Sequence, residues 1–324
     1  MPVTRKVERH EPDVIDEIVD RELALRRAHL AVPPDNFRAR NNWGLRTGWI
    51  YATKVAGIRA WQGAPGIEVG QLLVAAREFG LAWLQAIGAG AGRPLTVRAW
   101  GQSHKIDGIR PPSEFIYPVA MHVAGIAAWQ GRFEDARTLV TLQLPFPPRS
   151  RQLQLPPYRA DVVRAWLAFA AKLPWRHHAD AAQKTLDLDD TDPRHSEFDR
   201  ALLRALHALQ AKDSRSLSDA LAALLENHRS RAMTHNMSLE EEDLLYPLVM
   251  GLAALGRRTG MRVAVASAYI DVAALPTRPD DADEATWHTE RPRTTARFDD
   301  MQLTVDMTTP RMPLVVFGRG LRPV

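Results

Sequence analysis

Tyr117-Pro-Val-Ala-Met-His-Val-Ala-Gly-Ile-Ala-Ala-Trp-Gln-Gly-Arg-Phe-Glu-Asp-Ala-Arg-Thr-Leu-Val-Thr-Leu-Gln-Leu144 is the stretch whose reading decides the fold. From Tyr117 to Gln130 almost every residue is apolar or small, so a helix here has no polar face to turn toward water and belongs inside a larger body. Gly131 stops it, because glycine accepts the left-handed backbone that closes a helix. Phe133-Glu134-Asp135 starts a second helix, with acids in the first turn where the helix dipole favours them. The turn between the two is too short for anything but a helical hairpin, and Pro145, Pro147 and Pro148 end it.

Working outward, the same grammar repeats. Asp13 to Leu30 carries Val14, Ile15, Ile18, Leu23, Leu25 and Leu30 in an approximate helical stripe. Trp43–Trp61 and Glu68–Ile87 read as helices, and Gly88 to Pro94 then breaks the pattern as a helix-to-helix connection. A phosphate-binding reading of those glycines fails, since a helix precedes them and Pro94 follows. Downstream, helices are predicted over Asp161–Leu173, Ser196–Ala211, Ser216–Arg229 and Leu244–Leu255. Phe198, Leu202, Leu206 and Leu209 line one face, and Leu217, Leu221, Leu224 and Leu225 another. Ser216 with Asp219 reads as one N-terminal cap, and Ser238 with Glu241 as a capping box before the last helix. Beyond Pro276, Met301–Met307 alternates and Pro313–Phe317 is a compact apolar run, which predicts a hairpin turning near Thr309-Pro310.

The chain also echoes itself. Val55-Ala-Gly-Ile-Arg-Ala-Trp-Gln-Gly63 recurs as Val123-Ala-Gly-Ile-Ala-Ala-Trp-Gln-Gly131, and Tyr117-Pro-Val-Ala-Met121 as Tyr246-Pro-Leu-Val-Met250. Small residues such as Gly57, Ala60, Gly125 and Ala128 let helices approach closely, while Trp61 and Trp129 fill the layer beside them. The spacing is too irregular for a regular solenoid. The expected fold is therefore mainly all-α, a helical-repeat-like bundle of antiparallel helix pairs with a small C-terminal β-hairpin or extended tail. Residues 1–276 form the helical body and 277–324 an irregular extension.

Composition narrows the function. The 324 residues are 45% hydrophobic and 25% charged, ordinary for a chain with a large core. There is no cysteine, which excludes disulfides, thiolate metal sites and cysteine nucleophiles. The stretch Met1–Pro12 is charged and lacks an apolar signal region, and no run approaches the ~20 apolar residues of a membrane span, so a cytoplasmic location without membrane contact is expected. The formal charge is +4, yet arginines are scattered among acids, and a nucleic-acid partner is not expected.

No zincin, nucleophile-elbow, Walker or zinc-ligand pattern occurs, so no catalytic, cofactor or metal residue is assigned. His177-His178 point about 100° apart on a helix and read as a surface pair. His228, His235 and the run Glu240, Glu241, Glu242 and Asp243 invite a metal or acid–base reading, but helix-start electrostatics accounts for most of these acids. Their functional version is electrostatic: an exposed acidic helix start presented to a basic cleft on a partner. Arg149 and Arg151, with Arg159, make the proline-rich stretch 145–157 and its edge a basic exposed loop that could also contact a partner. The nine tryptophans read mostly as core.

Glu240 to Leu275 resembles the C-terminal region of the immunity protein 49 family of bacterial polymorphic toxin systems. The resemblance lies in the apolar small-residue helix, the Arg257-Arg258-Thr259-Gly260 helix end, the valine-rich stretch Arg262–Ala266, and Ser267-Ala-Tyr269 leading to Leu275. Ala201–His228, paired Leu/Ala helices ending in a histidine, also fits. It implies a mostly helical cytosolic protein that neutralises a cognate toxin C-terminal domain by tight binding, with no catalytic residues. Two rivals stand beside it. Gly131-Arg-Phe-Glu-Asp-Ala136 is compatible with a tetratricopeptide-like scaffold that binds a peptide, and His228 and His235 with their acids suit a metal-dependent hydrolase.

Overall fold

The computed structural model describes residues 5–7, 41–61, 66–99, 102–110, 116–142, 144, 158–187, 193–234, 245–267, 269–270, 294–298 and 301–305. Among the described residues there are nine helices and six short strands. In chain order they are β1 Arg5–Val7, α1 Asn41–Trp61, α2 Gly66–Ala89, β2 Pro94–Ala99, β3 Gln102–Asp107, α3 Ile116–Gln130, α4 Phe133–Thr141, α5 Arg159–Ala170, α6 Arg176–Leu186, α7 Pro193–Ala211, α8 Ser214–Thr234, α9 Pro247–Arg258, β4 Val265–Ser267, β5 Thr294–Phe298 and β6 Met301–Val305. The predicted helix over Asp13–Leu30 lies outside the described residues.

α3 is the hub. All but one of its residues from Ile116 to Trp129 are buried, as its all-round apolar sequence requires. It touches α2, α4, α5 and α9, while α1 packs along α2 and α7 along α8. The closest approach is at the crossing of α3 and α9, the two helices that share the Tyr-Pro opening. A Cβ on Gly125 would fall 2.4 Å from the Pro247 carbonyl oxygen, and one on Gly251 would fall 2.5 Å from that of Gly125. The internal echo thus marks two helices that are each other's partners, pressed backbone to backbone.

α2 is the one helix among the described residues long and apolar enough, over Val69–Ala89, to cross a membrane. Most of that span faces the core. Its middle holds Arg77 and Glu78, and Arg77 reaches α4 through Asp135 at 3.1 Å.

Four helices end alike. After α3, α5, α7 and α9 the chain turns through a left-handed residue, respectively Gly131, Lys172, Lys212 and Gly260. In each case the next N–H reaches back to a carbonyl inside the last turn: Arg132 to Ala127, Leu173 to Ala168, Asp213 to Ala208 and Met261 to Gly256, at 2.8–3.0 Å. This is the Schellman closure, and at two sites a lysine fills the place that glycine takes at the others.

Arginines complete some of these helix ends and that of α6. Arg258 of α9 donates to the Ala128 and Trp129 carbonyls at the end of α3. Arg200 donates to the Leu186 carbonyl closing α6 at 2.8 Å, and Arg137 to Ala171 after α5 at 3.3 Å. A guanidinium satisfies exposed carbonyls and complements the negative end of the helix dipole in one contact. Part of the arginine content is therefore spent inside the fold.

Several expectations need correction. Gly88–Pro94 leads into the hairpin β2–β3, paired from Pro94↔Asp107 to Ala99↔Gln102, and not into another helix. β1 pairs in parallel with β4, tying residues 5–7 to the C-terminal part of the body. α8 begins at Ser214 and is capped by Asp213, whose carboxylate accepts from the Arg215 and Ser216 N–H groups at 3.0 Å; the Ser216–Asp219 cap is wrong. Asp213 is a better acceptor there because its side chain lies before the first turn. α9 begins at Pro247, and its N-cap Tyr246 makes no side-chain cap, so the Ser238–Glu241 box does not start it. Proline fits the first turn, where an N–H is not needed. Met301–Val305 is a strand as expected but pairs with Thr294–Phe298, one step upstream of the expected partner. Residues 313–317 lie outside the described residues.

Candidate functional site

Glu240, Glu241, Glu242 and Asp243 lie outside the described residues, as do Arg149 and Arg151. Arg159, grouped with the basic loop by sequence, instead opens α5. Its guanidinium meets the Asp199 carboxylate at 2.9 Å through Nε and 2.8 Å through Nη2, and it lies over the Phe198 ring. Asp199 is wholly buried. The pair joins α5 to α7 and is unavailable to a partner. Nothing in the local sequence distinguished Arg159 from Arg149 or Arg151, because its acid lies forty positions away.

A buried cluster of histidine and aromatic rings sits where α1, α3, α8, the entry to α9 and the residues after β4 converge. His228 of α8 stacks on Tyr246, ring centroids 4.2 Å apart and planes 13° from parallel, and meets Tyr269 edge-on at 5.0 Å. His122 of α3 meets Tyr246 edge-on at 5.7 Å and Trp49 at 6.3 Å. The Tyr246 N–H donates to the Tyr269 carbonyl at 2.8 Å, which fixes the entry to α9. Burial, reinforced by the neighbouring His228, holds the His122 pKa down at about 3, so it is neutral at ordinary pH. A neutral, enclosed imidazole wedged among aromatic rings packs; it has no aqueous face from which to exchange protons with a substrate. His228 was linked by sequence to the acids at 240–243. The structure places it in this aromatic stack, and His235 lies outside the described residues.

A second network ties α2 to the start of α4. Arg77 donates to the Gln130 side-chain oxygen at 2.5 Å and pairs with Asp135, and Glu78 beside it lies 3.9 Å from Arg98 of β2. Asp135 belongs to the Gly131–Ala136 motif, which here serves packing. His177 and His178 open α6 with rings 3.9 Å apart, a surface pair as expected. Burial and the adjacent His177 lower the His178 pKa, although Asp161 stands 3.8 Å away. Among the described residues no group of three or more His, Asp or Glu side chains could hold a metal. Trp49, Trp83, Trp129, Trp166 and Trp175 are all buried, which settles their core role.

Among the described residues, Arg159–Asp199 and Arg77–Asp135 are structural ion pairs, and His122 and His228 pack against aromatic rings. The class defined is a mostly helical body with a small antiparallel two-stranded sheet, its interior crossed by ion pairs and aromatic stacks. Residues 121–270, from α3 through β4, match the family model described as Immunity protein 49. Proteins of that family are typically non-enzymatic inhibitors of toxins. No curated protein and no solved structure matches the chain. The match starts one turn into α3 and ends at Ile270, the bridge partner of Ser267. It therefore reaches well upstream of the Ala201–Leu275 region in which the resemblance is legible by eye.

Proposed function

We propose that this protein acts in the cytoplasm of a toxin-producing bacterium and its kin, where it binds the C-terminal domain of one cognate toxin and blocks that domain's active site or access to its substrate. The observation that carries the reading is the match over 121–270, which spans the α3–α9 crossing and every helix threaded between them. Rigid packing supports it physically, since a surface already fixed before binding loses little conformational freedom in the complex. Inhibition requires no turnover. The acids Glu240 to Asp243 remain the proposed electrostatic contact, and Arg149 and Arg151 a second one. Co-expression in a heterologous bacterium tests the idea: the toxin domain encoded beside this gene should kill alone and spare cells that also make this protein. Equal killing in both would remove the proposal.

One finer feature of the fold is proposed with it. The left-handed closures at Gly131, Lys172, Lys212 and Gly260 recur about every 40 residues, the length of known helical-hairpin repeats. We infer a degenerate hairpin repeat in which α3, α5, α7 and α9 are the equivalent helices. The contact of α9 back onto α3 weighs against an open peptide-binding groove and so favours immunity over a scaffold role.

A further inference from the structure

The β2–β3 hairpin and its base carry a cluster of exposed positive charge. Between Gly90 and Arg110 the cations Arg93, Arg98, Lys105 and Arg110 accompany the single anion Asp107, a net +3 within 21 residues. These residues form the β2–β3 hairpin and its base, and all five are exposed. Across the strands Lys105 stands opposite Thr96, Arg98 opposite Ser103 and Asp107 opposite Pro94. Glu78 lies 3.9 Å from Arg98.

The hairpin is also firmly mounted. Gly92 and Gly108 exchange backbone contacts with the opposite limb at 2.9 and 2.7 Å, and the Ile109 N–H donates to the Ala86 carbonyl of α2 at 2.9 Å. Val97 and Ala99 are buried against the body. A Cβ on Gly108 would sit 2.1 Å from the Gly90 oxygen, so the base is closed by backbone contact. Charges carried on such a mount need little ordering when a partner arrives.

From this concentration of charge, we infer that the β2–β3 hairpin is a specificity-determining contact for the toxin, docking against an acidic patch on the toxin domain. The inference rests on the immunity reading and deepens it. The family match begins at Met121, beyond the hairpin. An inhibitor that must select one toxin among relatives needs a discriminating surface outside the shared scaffold, and a concentrated charge both steers encounter and rejects basic surfaces. A nucleic acid is the less suitable occupant, since phosphate-backbone binders commonly engage about 6–10 phosphates and this hairpin offers four cations.

The test compares the full chain with R93E/K105E/R110E and with the milder R93Q/K105Q/R110Q. The probe is an inactivated C-terminal domain of the toxin encoded beside this gene, and association rates are measured at low and high salt. Melting curves confirm that each variant is folded. We expect the charge reversal to slow association about tenfold or more at low salt, the neutral variant to fall between, and the salt dependence of the parent to vanish. Folded variants that associate at the parent's rate, while the parent binds, would overturn the hairpin contact and leave the immunity reading standing. A parent that does not bind would remove both. Loss of binding to a single-stranded oligonucleotide with unchanged toxin association would overturn it too, by assigning the charge to nucleic acid.

Discussion

Two substitutions of the same chemistry should have opposite signs. In Gly251→Ala the new methyl would lie 2.5 Å from the Gly125 oxygen and 2.7 Å from its Cα. Ordinary contact begins near 3.4 Å, so α3 and α9 must part by about 0.9 Å, which is 3.4 less 2.5. Both offending atoms are helix backbone, which cannot swing aside as a side chain can. Overpacking of this kind costs about 1–3 kcal/mol, and rigid neighbours place it at the upper end. The gain in helix propensity from glycine to alanine, about 1 kcal/mol, offsets part, leaving a net loss of about 2 kcal/mol. In Gly70→Ala the new methyl meets only the Trp129 ring at 3.5 Å, an ordinary contact. There the propensity gain stands alone, and the variant should be stabilised by about 0.5–1 kcal/mol. Urea unfolding followed by helical circular dichroism gives both values. If Gly251→Ala proves as stabilising as Gly70→Ala, the close crossing of α3 and α9 is not what holds the hub together.

Other consequences follow from the buried charges and the helix ends. His122 titrates near its ordinary value of 6.5 when unfolded and at about 3 when folded, so the unfolded chain takes up the extra proton between those values. The stability this gives is fully present above pH 6.5 and drains as pH falls toward 3, by about 2 kcal/mol between pH 7 and 5. Unfolding measured across that range should show a shallower acid loss in His122→Gln; an unchanged slope would mean that another group dominates. Asp199→Ala strands the enclosed Arg159 guanidinium and should cost about 3–5 kcal/mol, whereas a loss below about 1 kcal/mol would show that water reaches the pair. Lys212→Gly relieves a left-handed lysine, φ 56°, and should stabilise by about 1 kcal/mol. Lys172→Gly should gain less in the same thermal melts, because the Lys172 ammonium sits 3.7 Å from the Phe133 ring centroid and that attraction is lost.

The helices were legible because their signals are local. α3 and α4 fall where Gly131 and Phe133-Glu-Asp place them, and the leucine faces of α7 and α8 are buried as their spacing requires. α6 was legible only as a helix start at His177-His178: in Arg176–Leu186 only Ala179, Ala182 and Leu186 are buried, and alanines carry a weak periodic signal. β2 and β3 escaped because each is six residues long and its buried face is limited to positions such as Val97 and Ala99, too little alternation to stand out beside long helices. The pairing of β1 with β4 joins residues some 260 positions apart, a relation that no local pattern encodes. The same limit applies to polar contacts. Arg159 reads as part of a basic loop, and Arg258 as the mark of its own helix's end, until the fold brings Asp199 and the end of α3 to them. The named contact residues Glu240 to Asp243, Arg149 and Arg151 are outside the described residues, so they stay where sequence reasoning left them.

The decisive measurement is titration calorimetry of the full chain against an inactivated C-terminal domain of the adjacent toxin. Tight association with defined stoichiometry, at a dissociation constant of about 10 nM or below, is expected for an inhibitor that must outcompete substrate. No heat of binding at micromolar concentrations of both proteins would contradict the reading of this helical body as a toxin-binding surface.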